Sequence, residues 1–172
     1  MSQDDINGYT VAYDQDELQF PVYVVLVIGI ALCIAAMIHS NIILLVLGFA
    51  AICYGYYNVP LLETGRPRIG AGQYGIFIEG LGIISWRATQ DIDLVAVEMR
   101  GIPQNELQIT LAQPLQRALI ADWRQRPMHR LLMRLPWSLT AKGVIRIPLD
   151  VFDHDAGDIH KTFVRMLRFY RS

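Results

Sequence analysis

Two long apolar runs near the start of the chain set the first expectation. Residues 20–38 form a run of 19 residues without a charge, and a second uncharged run covers 41–57. As a helix, 19 apolar residues are long enough to cross a hydrocarbon core of ~30 Å. Only His39 and Ser40 separate the runs, so the second helix must turn back on the first. The sequence therefore predicts a transmembrane helical hairpin over 20–57, with its turn near Ser40.

Small residues indicate how the two helices pack. Ala31 and Ala35 on the first helix, and Ala51 and Gly55 on the second, have the small-xxx-small spacing that lets backbones approach closely. We interpret this spacing as packing of the hairpin against itself. With a turn near Ser40, Cys33 lies opposite roughly residue 47, too far from Cys53 for a disulfide.

After residue 57 the apolar residues come in short runs bounded by glycine. Runs of four to eight apolar, β-branched or aromatic residues between such breaks are typical of strands. They predict strands at about 75–79, 82–86, 94–99, 106–111 and 144–149. Leu107, Ile109 and Leu111 alternate along one face of their strand, as expected for a sheet with one buried side.

The final predicted element is an amphipathic helix. Its apolar residues recur at i, i+4, i+7 and i+11 and are Ile159, Phe163, Met166 and Tyr170. Asp155 or Asp158 can cap its start. An antiparallel sheet closed by one such helix is the plan of a pleckstrin-homology-like (PH-like) barrel or sandwich. We therefore expect an α+β membrane protein, with a PH-like domain over 58–172 and with Trp86 and Phe163 buried in its core.

Charge divides the chain at the same place as hydrophobicity. All 15 Lys and Arg residues follow Tyr57, whereas the segment 1–19 is acidic. Residues 58–172 carry 11 of the 16 acidic residues and have a net charge of +4. The positive-inside rule then places both termini in the cytoplasm, with the hairpin in a bacterial inner membrane. The acidic start is unlike a cleaved signal peptide, and neither span holds an Asp, Glu, Lys, Arg or His residue for transport or proton relay.

The segment 114–139, before the last strand, is rich in arginine. Pro127 fits the first turn of a helix with leucines on one face and arginines at i, i+4 and i+8 on the other. Upstream, Leu115, Leu119 and Trp123 also have helical spacing. A basic amphipathic helix beside a Trp can lie in a membrane interface, whereas the alternative is a helix that covers an open barrel end with solvated arginines. The candidate lipid- or partner-binding residues are Arg117, Trp123, Arg124, Arg126, Arg130 and Arg134.

Other candidate chemistry is weaker. His154 and His160, with Asp153, Asp155 and Asp158, are metal-ligand types, but their spacing matches no familiar site and a helix start favours Asp for capping. The stretch 70–75, GAGQYG, has the GxGxxG spacing of a dinucleotide-binding motif, but no helix pattern follows it, as that motif requires. Basic residues mixed with acids disfavour nucleic-acid binding. We therefore expect no catalysis, no metal, no cofactor and no small-molecule substrate.

The order of short motifs resembles a known family. These motifs are Gly75-Ile76 entering a strand, IISW at 83–86, Asp91-Ile92, ELQITL at 106–111 and VIRIPLDVF at 144–152, followed by the terminal helix. Together they resemble small bacterial membrane proteins with two N-terminal transmembrane helices and a C-terminal PH-like domain. The resemblance implies a PH-like fold and a non-catalytic role. Two functions remain open: an accessory or scaffolding subunit that binds a membrane protein or forms homo-oligomers, and an anionic-lipid headgroup sensor.

Overall fold

The computed structural model describes residues 8–63, 65–99, 102–124, 130 and 132–171, without the side chains of 15–18, 99 and 102. The chain divides into two compact units. A helical unit comprises Asp14–Thr64 and Pro127–Arg134, and a sheet unit comprises Met1–Tyr13, Gly65–Arg126 and Leu135–Ser172.

The helical unit is built on two consecutive helices, α1 (Gln15–His39) and α2 (Ile42–Tyr57), followed by a 3₁₀ turn at Val59–Leu62. Ser40 turns the chain with a φ of 48°. The Asn41 side chain caps α2 by accepting hydrogen bonds from the backbone N–H groups of the second and third residues after it, at 2.9 and 3.4 Å. Both helices and the position of the turn agree with the sequence prediction.

Glycines set the closest approach of α1 and α2. A Cβ on Gly48 would lie 2.7 Å from Cys33 Sγ and 2.8 Å from Gly29 O, so the two backbones nearly touch there. The expected position of Cys33, opposite roughly residue 47, is therefore confirmed. The small residue that α1 contributes to this contact is Gly29; Ala31, which we expected there, is exposed. The helical phase explains the difference, because Gly29 and Cys33 are four residues apart and share a face.

One helix has the properties of a membrane span. Among the described helices, Gln19–His39 within α1 is long and apolar enough to cross a membrane by length and composition, and only 17% of its most apolar window is buried. A core helix of a soluble protein would be mostly buried. Helix α2 is also apolar, but it has only 16 residues.

The sheet unit contains two antiparallel sheets. The first sheet has the strand order β1-β2-β3-β4-β7. Its strands are β1 (Tyr9–Val11), β2 (Ile69–Gly72), β3 (Gly75–Ile78), β4 (Gly82–Ile84) and β7 (Leu119–Asp122). Strand β1 lies in the acidic N-terminal segment, where the sequence predicted no strand. It pairs with β2, which follows both helices in the sequence.

The second sheet has the order β5-β6-β9-β8. Its strands are β5 (Thr89–Met99), β6 (Ile102–Leu111), β8 (Ser138–Leu139) and β9 (Val144–Pro148). All five strands expected from the sequence are present, with β5 five residues longer at its start. The expectation of a barrel is wrong, because the described strands form two separate sheets and no closed barrel.

The C-terminal helix, α4 (Ala156–Arg171), closes the core of the sheet unit. It packs on β5 and on β2, so it contacts both sheets. Asp155 caps its start by accepting from the N–H groups of Gly157 and Asp158 at 2.9 and 3.3 Å, as expected. Phe163 is fully buried. Trp86 is also buried as expected, but in a 3₁₀ turn at Trp86–Ala88 instead of a strand.

Candidate interaction surface on the first sheet

The upstream half of the predicted basic helix is mostly a strand. Residues Leu115–Ala118 form one short helical turn, α3, and the chain then enters β7, which pairs with β4. Strand pairing supplies hydrogen bonds to a whole segment, so it overrides a helical spacing read from three residues. Arg117 is exposed on α3, and Trp123 and Arg124 follow β7 directly.

The downstream half forms no α-helix within its described residues. Arg130 has a 3₁₀ conformation, 132–135 form turns and irregular chain, and Arg126 lies outside the described residues. Arg130 forms an ion pair with Glu63, with 3.0 Å between guanidinium nitrogen and carboxylate oxygen. The backbone N–H of Arg134 donates to Tyr57 O at 2.9 Å. Both contacts lie within the helical unit. The helix expected to carry the i, i+4, i+8 arginines lies largely outside the described residues, so the stripe stays a prediction.

Arg124 is held by its own neighbour in sequence. Its Nε donates to both carboxylate oxygens of Asp122 at 2.9 and 3.0 Å, and a terminal nitrogen donates at 2.5 Å. The side-chain hydrogen bonds from Arg124, followed by the bond from its backbone N–H, lower the pKa of Asp122 to about 2. The same carboxylate raises the pKa of the Arg124 guanidinium. A bidentate pair of this kind orders the chain directly beside Trp123.

The register of the first sheet creates an apolar surface on its outer side. Cross-strand partners share a face, and Phe77 on β3 pairs with Gly70 on β2 and Ile83 on β4. The neighbours of Phe77 along its strand, Ile76 and Ile78, are fully buried in the core. Phe77 and Ile83 therefore point away from the core, and both are half-buried there.

Two further aromatic residues extend this surface. The Trp123 ring packs edge-on to Phe77 with 5.7 Å between ring centroids, and it remains 46% exposed. Tyr74, in the turn between β2 and β3, is 71% exposed. We call the four residues Tyr74, Phe77, Ile83 and Trp123 the aromatic face.

An open trough crosses the aromatic face. Its volume is about 180 Å³, its walls are almost wholly apolar, and its lining includes Tyr74, Phe77 and Ile83. Gly70 and Gly72 also line it, and because they carry no side chain they leave the space open. Gly75 closes the hairpin at φ 152°, where a Cβ would collide with the backbone carbonyl of Ile84, so this position requires glycine. The GAGQYG stretch thus serves a β-hairpin, as the absence of a following helix indicated.

The sequence analysis named one of the four residues, Trp123. The missed signal is that GIFI at 75–78 is apolar at every position, whereas a strand with one solvated face alternates. A short antiparallel strand that is apolar on both faces indicates that both faces need a cover. Of the residues predicted to bind, Trp123 belongs to the aromatic face and Arg124 follows it in sequence, whereas Arg130 and Arg134 belong to the helical unit and Arg126 lies outside the described residues.

The His and Asp residues near α4 have structural partners. His154 Nδ1 lies 2.6 Å from Asp153 Oδ1, and His160 Nε2 lies 3.1 Å from Ile92 O. Burial, followed by the charges of Asp153 and Asp158, raises the pKa of Tyr9, whose ring packs edge-on to His154. The described residues contain no group of three or more His, Cys, Asp or Glu that could hold a metal ion.

Comparisons with protein-family models, curated proteins and solved structures find no match for this chain. What the structure defines is an α+β protein with two antiparallel sheets, a closing C-terminal helix and one candidate membrane helix. Its chemistry therefore rests on the surfaces described above. An exposed, preformed and uncharged aromatic surface is suited to binding another apolar surface.

Proposed function

We propose that this protein is a non-catalytic, membrane-anchored binding module that acts as an accessory or scaffolding subunit of an inner-membrane protein complex. The observation that carries the proposal is the aromatic face. Aromatic residues are enriched at the centres of protein interfaces, where they bury a large area at low entropic cost. A strand that is apolar on both sides would otherwise leave Phe77 and Ile83 partly in water.

The alternative, an anionic-lipid headgroup sensor, has less support. A headgroup site needs several arginines directed to the same phosphate. Here Arg124 is paired with Asp122 and Arg130 with Glu63, so each already has a carboxylate partner. The aromatic face itself carries no charged residue. A protein partner with an apolar ridge therefore fits this surface better than a phosphate group does.

We further propose that both α1 and α2 cross the membrane, that a PH-like domain follows them in the sequence, and that both termini lie in the cytoplasm. Strand β1 precedes α1, strand β2 follows α2, and the two strands are hydrogen-bonded neighbours. The chain between them must therefore cross a membrane an even number of times. If Gln19–His39 crosses, α2 returns, and a 16-residue helix is accommodated by local thinning of the bilayer.

Reporter fusions test this orientation. Fusions at residue 10 and at the C-terminus should both report a cytoplasmic location, and an insertion at Ser40 an external one. A C-terminus outside the cell with residue 10 inside would contradict both the hairpin and the pairing of β1 with β2.

Site-specific photo-crosslinking tests the binding role. A photo-reactive amino acid replaces Trp123 in the full chain, expressed in its native membrane, and Leu139 on β8 serves as the matched control because it is 45% exposed. We expect a discrete protein adduct from position 123 and none from position 139. The adduct should weaken strongly when Phe77→Ala and Tyr74→Ala are added, while Leu139→Ala leaves it unchanged.

The products distinguish the rival functions. A protein adduct of defined mass supports the subunit role, and mass spectrometry of the adduct identifies the partner. Lipid adducts alone at position 123 would favour the headgroup sensor and contradict the proposal. Equal labelling at positions 123 and 139 would mean that the aromatic face is an ordinary surface.

A further inference from the structure

The second sheet has an edge that is only half covered. Strand β5 is its outer strand, and α4 side chains hydrogen-bond to the first part of that edge. Arg171 donates to Gln90 O at 2.7 Å, and His160 Nε2 lies 3.1 Å from Ile92 O. The Ile92 N–H donates to the Asp91 side chain at 2.9 Å and not to β6. Both backbone groups of Ile92 therefore point away from β6.

The same alternation leaves the rest of the edge open. In an antiparallel ladder, every second residue directs its N–H and C=O away from the neighbouring strand. Ala96 is the partner of Asn105 on β6. The Asn105 C=O accepts from the Leu149 N–H, and the Asn105 N–H donates to the Asp150 side chain, so both groups point away from β5. The backbone groups of Ala96 likewise point away from β6. Leu94, Ala96 and Glu98 therefore direct six backbone groups outward. None of these groups has a hydrogen-bond partner within the described part of the chain. We call 94–98 the open edge.

The open edge lacks most of the devices that prevent strands from pairing. Proteins protect exposed edges with Pro, Lys, bulges or inward charges. The open edge has no Pro or Lys, and the only register shift in β5 lies earlier, between Thr89 and Asp91. Its residues are Leu-Val-Ala-Val followed by one charge, Glu98. The sequence is thus well suited to accept another strand.

We propose that a second copy of this chain pairs antiparallel with the open edge, joining the two second sheets into one continuous sheet. A two-fold axis at Ala96 places Ala96 opposite Ala96 of the second copy, and Leu94 opposite its Glu98. All three outward-facing residues are then used, each pair exchanging two hydrogen bonds. This surface is separate from the aromatic face and does not depend on its partner.

Charge and space disfavour the two registers whose axis lies at another outward-facing residue of the open edge. An axis at Glu98 would place two glutamates directly opposite each other, which is unfavourable. An axis at Leu94 would bring Glu98 of the second copy against Gln90, whose carbonyl already accepts from Arg171. An axis at Ala96 avoids both conflicts and sets a small, exposed side chain at the centre, where the two copies approach most closely.

Cysteine cross-linking of the full chain in native membranes tests the register, in a background with Cys33→Ala and Cys53→Ala. With Ala96→Cys, the two Cα atoms should lie about 5.5 Å apart, within the range of a disulfide. With Glu98→Cys as the matched control, they should lie about 13 Å apart, four residues along the strand. We expect a covalent dimer with Ala96→Cys and none with Glu98→Cys, and a mixture of Leu94→Cys chains with Glu98→Cys chains should regain it.

Proline substitution tests pairing without cross-linking. Because the Ala96 N–H points outward, Ala96→Pro removes a hydrogen bond to the second copy and leaves the β5–β6 ladder intact. We expect loss of the dimer in nanodiscs, with the far-UV circular dichroism spectrum of the folded chain unchanged. Val95→Pro, which breaks the ladder itself, should unfold the sheet. A dimer that survives Ala96→Pro, or equal cross-linking at positions 96 and 98, would overturn the proposal. Loss of a different bound protein in Ala96→Pro, without any dimer, would also overturn it.

Discussion

The two units of this protein place the same residue types in opposite positions. In the sheet unit, isoleucines such as Ile69, Ile76 and Ile109 are fully buried. In the helical unit, the buried positions of α2 are Gly48 and Gly55, whereas the isoleucines Ile38 on α1 and Ile42 on α2 are 72% and 68% exposed. The sheet unit buries most of its isoleucines, whereas α1 and α2 expose most of their large apolar residues.

The difference is the one expected if the helical unit packs in lipid, as proposed, and the sheet unit in water. Burying an apolar side chain stabilises a fold in water, but lipid tails give no such driving force, so helices in a membrane associate through close packing of small residues. The helical unit has this arrangement at Gly29 and Gly48, where the α1 and α2 backbones approach closely. The sheet unit has the arrangement expected in water. The contrast predicts that the two units respond oppositely to changes in side-chain size.

The largest effect is expected from removing a large core residue of the sheet unit. Phe163→Ala should lower the free energy of unfolding by about 3–5 kcal/mol, because it removes a fully buried ring and leaves a cavity. Chemical denaturation of the full chain in detergent micelles, followed by tryptophan fluorescence, measures the change. Phe169→Ala on the same helix is the control, since its ring is 59% exposed and should cost less than ~1 kcal/mol. Equal losses would mean that α4 does not close the core.

An intermediate effect is expected from enlarging a small residue of the helical unit. Gly48→Ala would place its Cβ 2.9 Å from Cys33 N, so the helices must separate, at about 1–3 kcal/mol as in other overpacked contacts. Titration with a denaturing detergent, followed by circular dichroism, reports the loss of helix. Ala50→Val adds bulk to the exposed face of α2 and should change little. If both variants behave alike, small residues do not hold the two helices together.

The smallest effect is expected from the ion pair between Asp122 and Arg124, which is exposed on the surface of the sheet unit. The pKa of Asp122 is lowered to about 2 from 3.8, so the pair with Arg124 is complete above pH 3.8 and is lost as the pH falls through about 2. An NMR titration of the carboxyl group should show this midpoint. Arg124→Gln should raise the pKa towards 3.8, with little change in melting temperature because the pair is exposed. A midpoint near 3.8 in the unaltered protein would mean that the pair does not persist in solution.

Local patterns in the sequence predicted the elements whose hydrophobic pattern extends over many residues. Helices α1, α2 and α4 were found from runs of ten or more patterned residues, and β5 and β6 from shorter apolar runs at 94–99 and 106–111. Elements made by distant pairing were missed, because Tyr9–Val11 becomes a strand only through β2, and Leu119–Asp122 only through β4. The same reason explains the site. Trp123 was visible as an isolated aromatic residue, but its contact with Phe77 depends on the register of three strands.

The position of β1 has a consequence for how this protein is made. A ribosome completes β1 first, then both helices, and only afterwards β2, so β1 waits several seconds for its neighbour at ordinary rates of synthesis. During that delay the two helices proposed to span the membrane are complete before the first sheet starts to assemble. Once β1 and β2 pair, the helical unit is closed into a loop whose two ends are joined by that pairing. If the helices insert into a membrane as proposed, insertion can precede the pairing of β1 with β2, which then holds the two ends of the helical unit together.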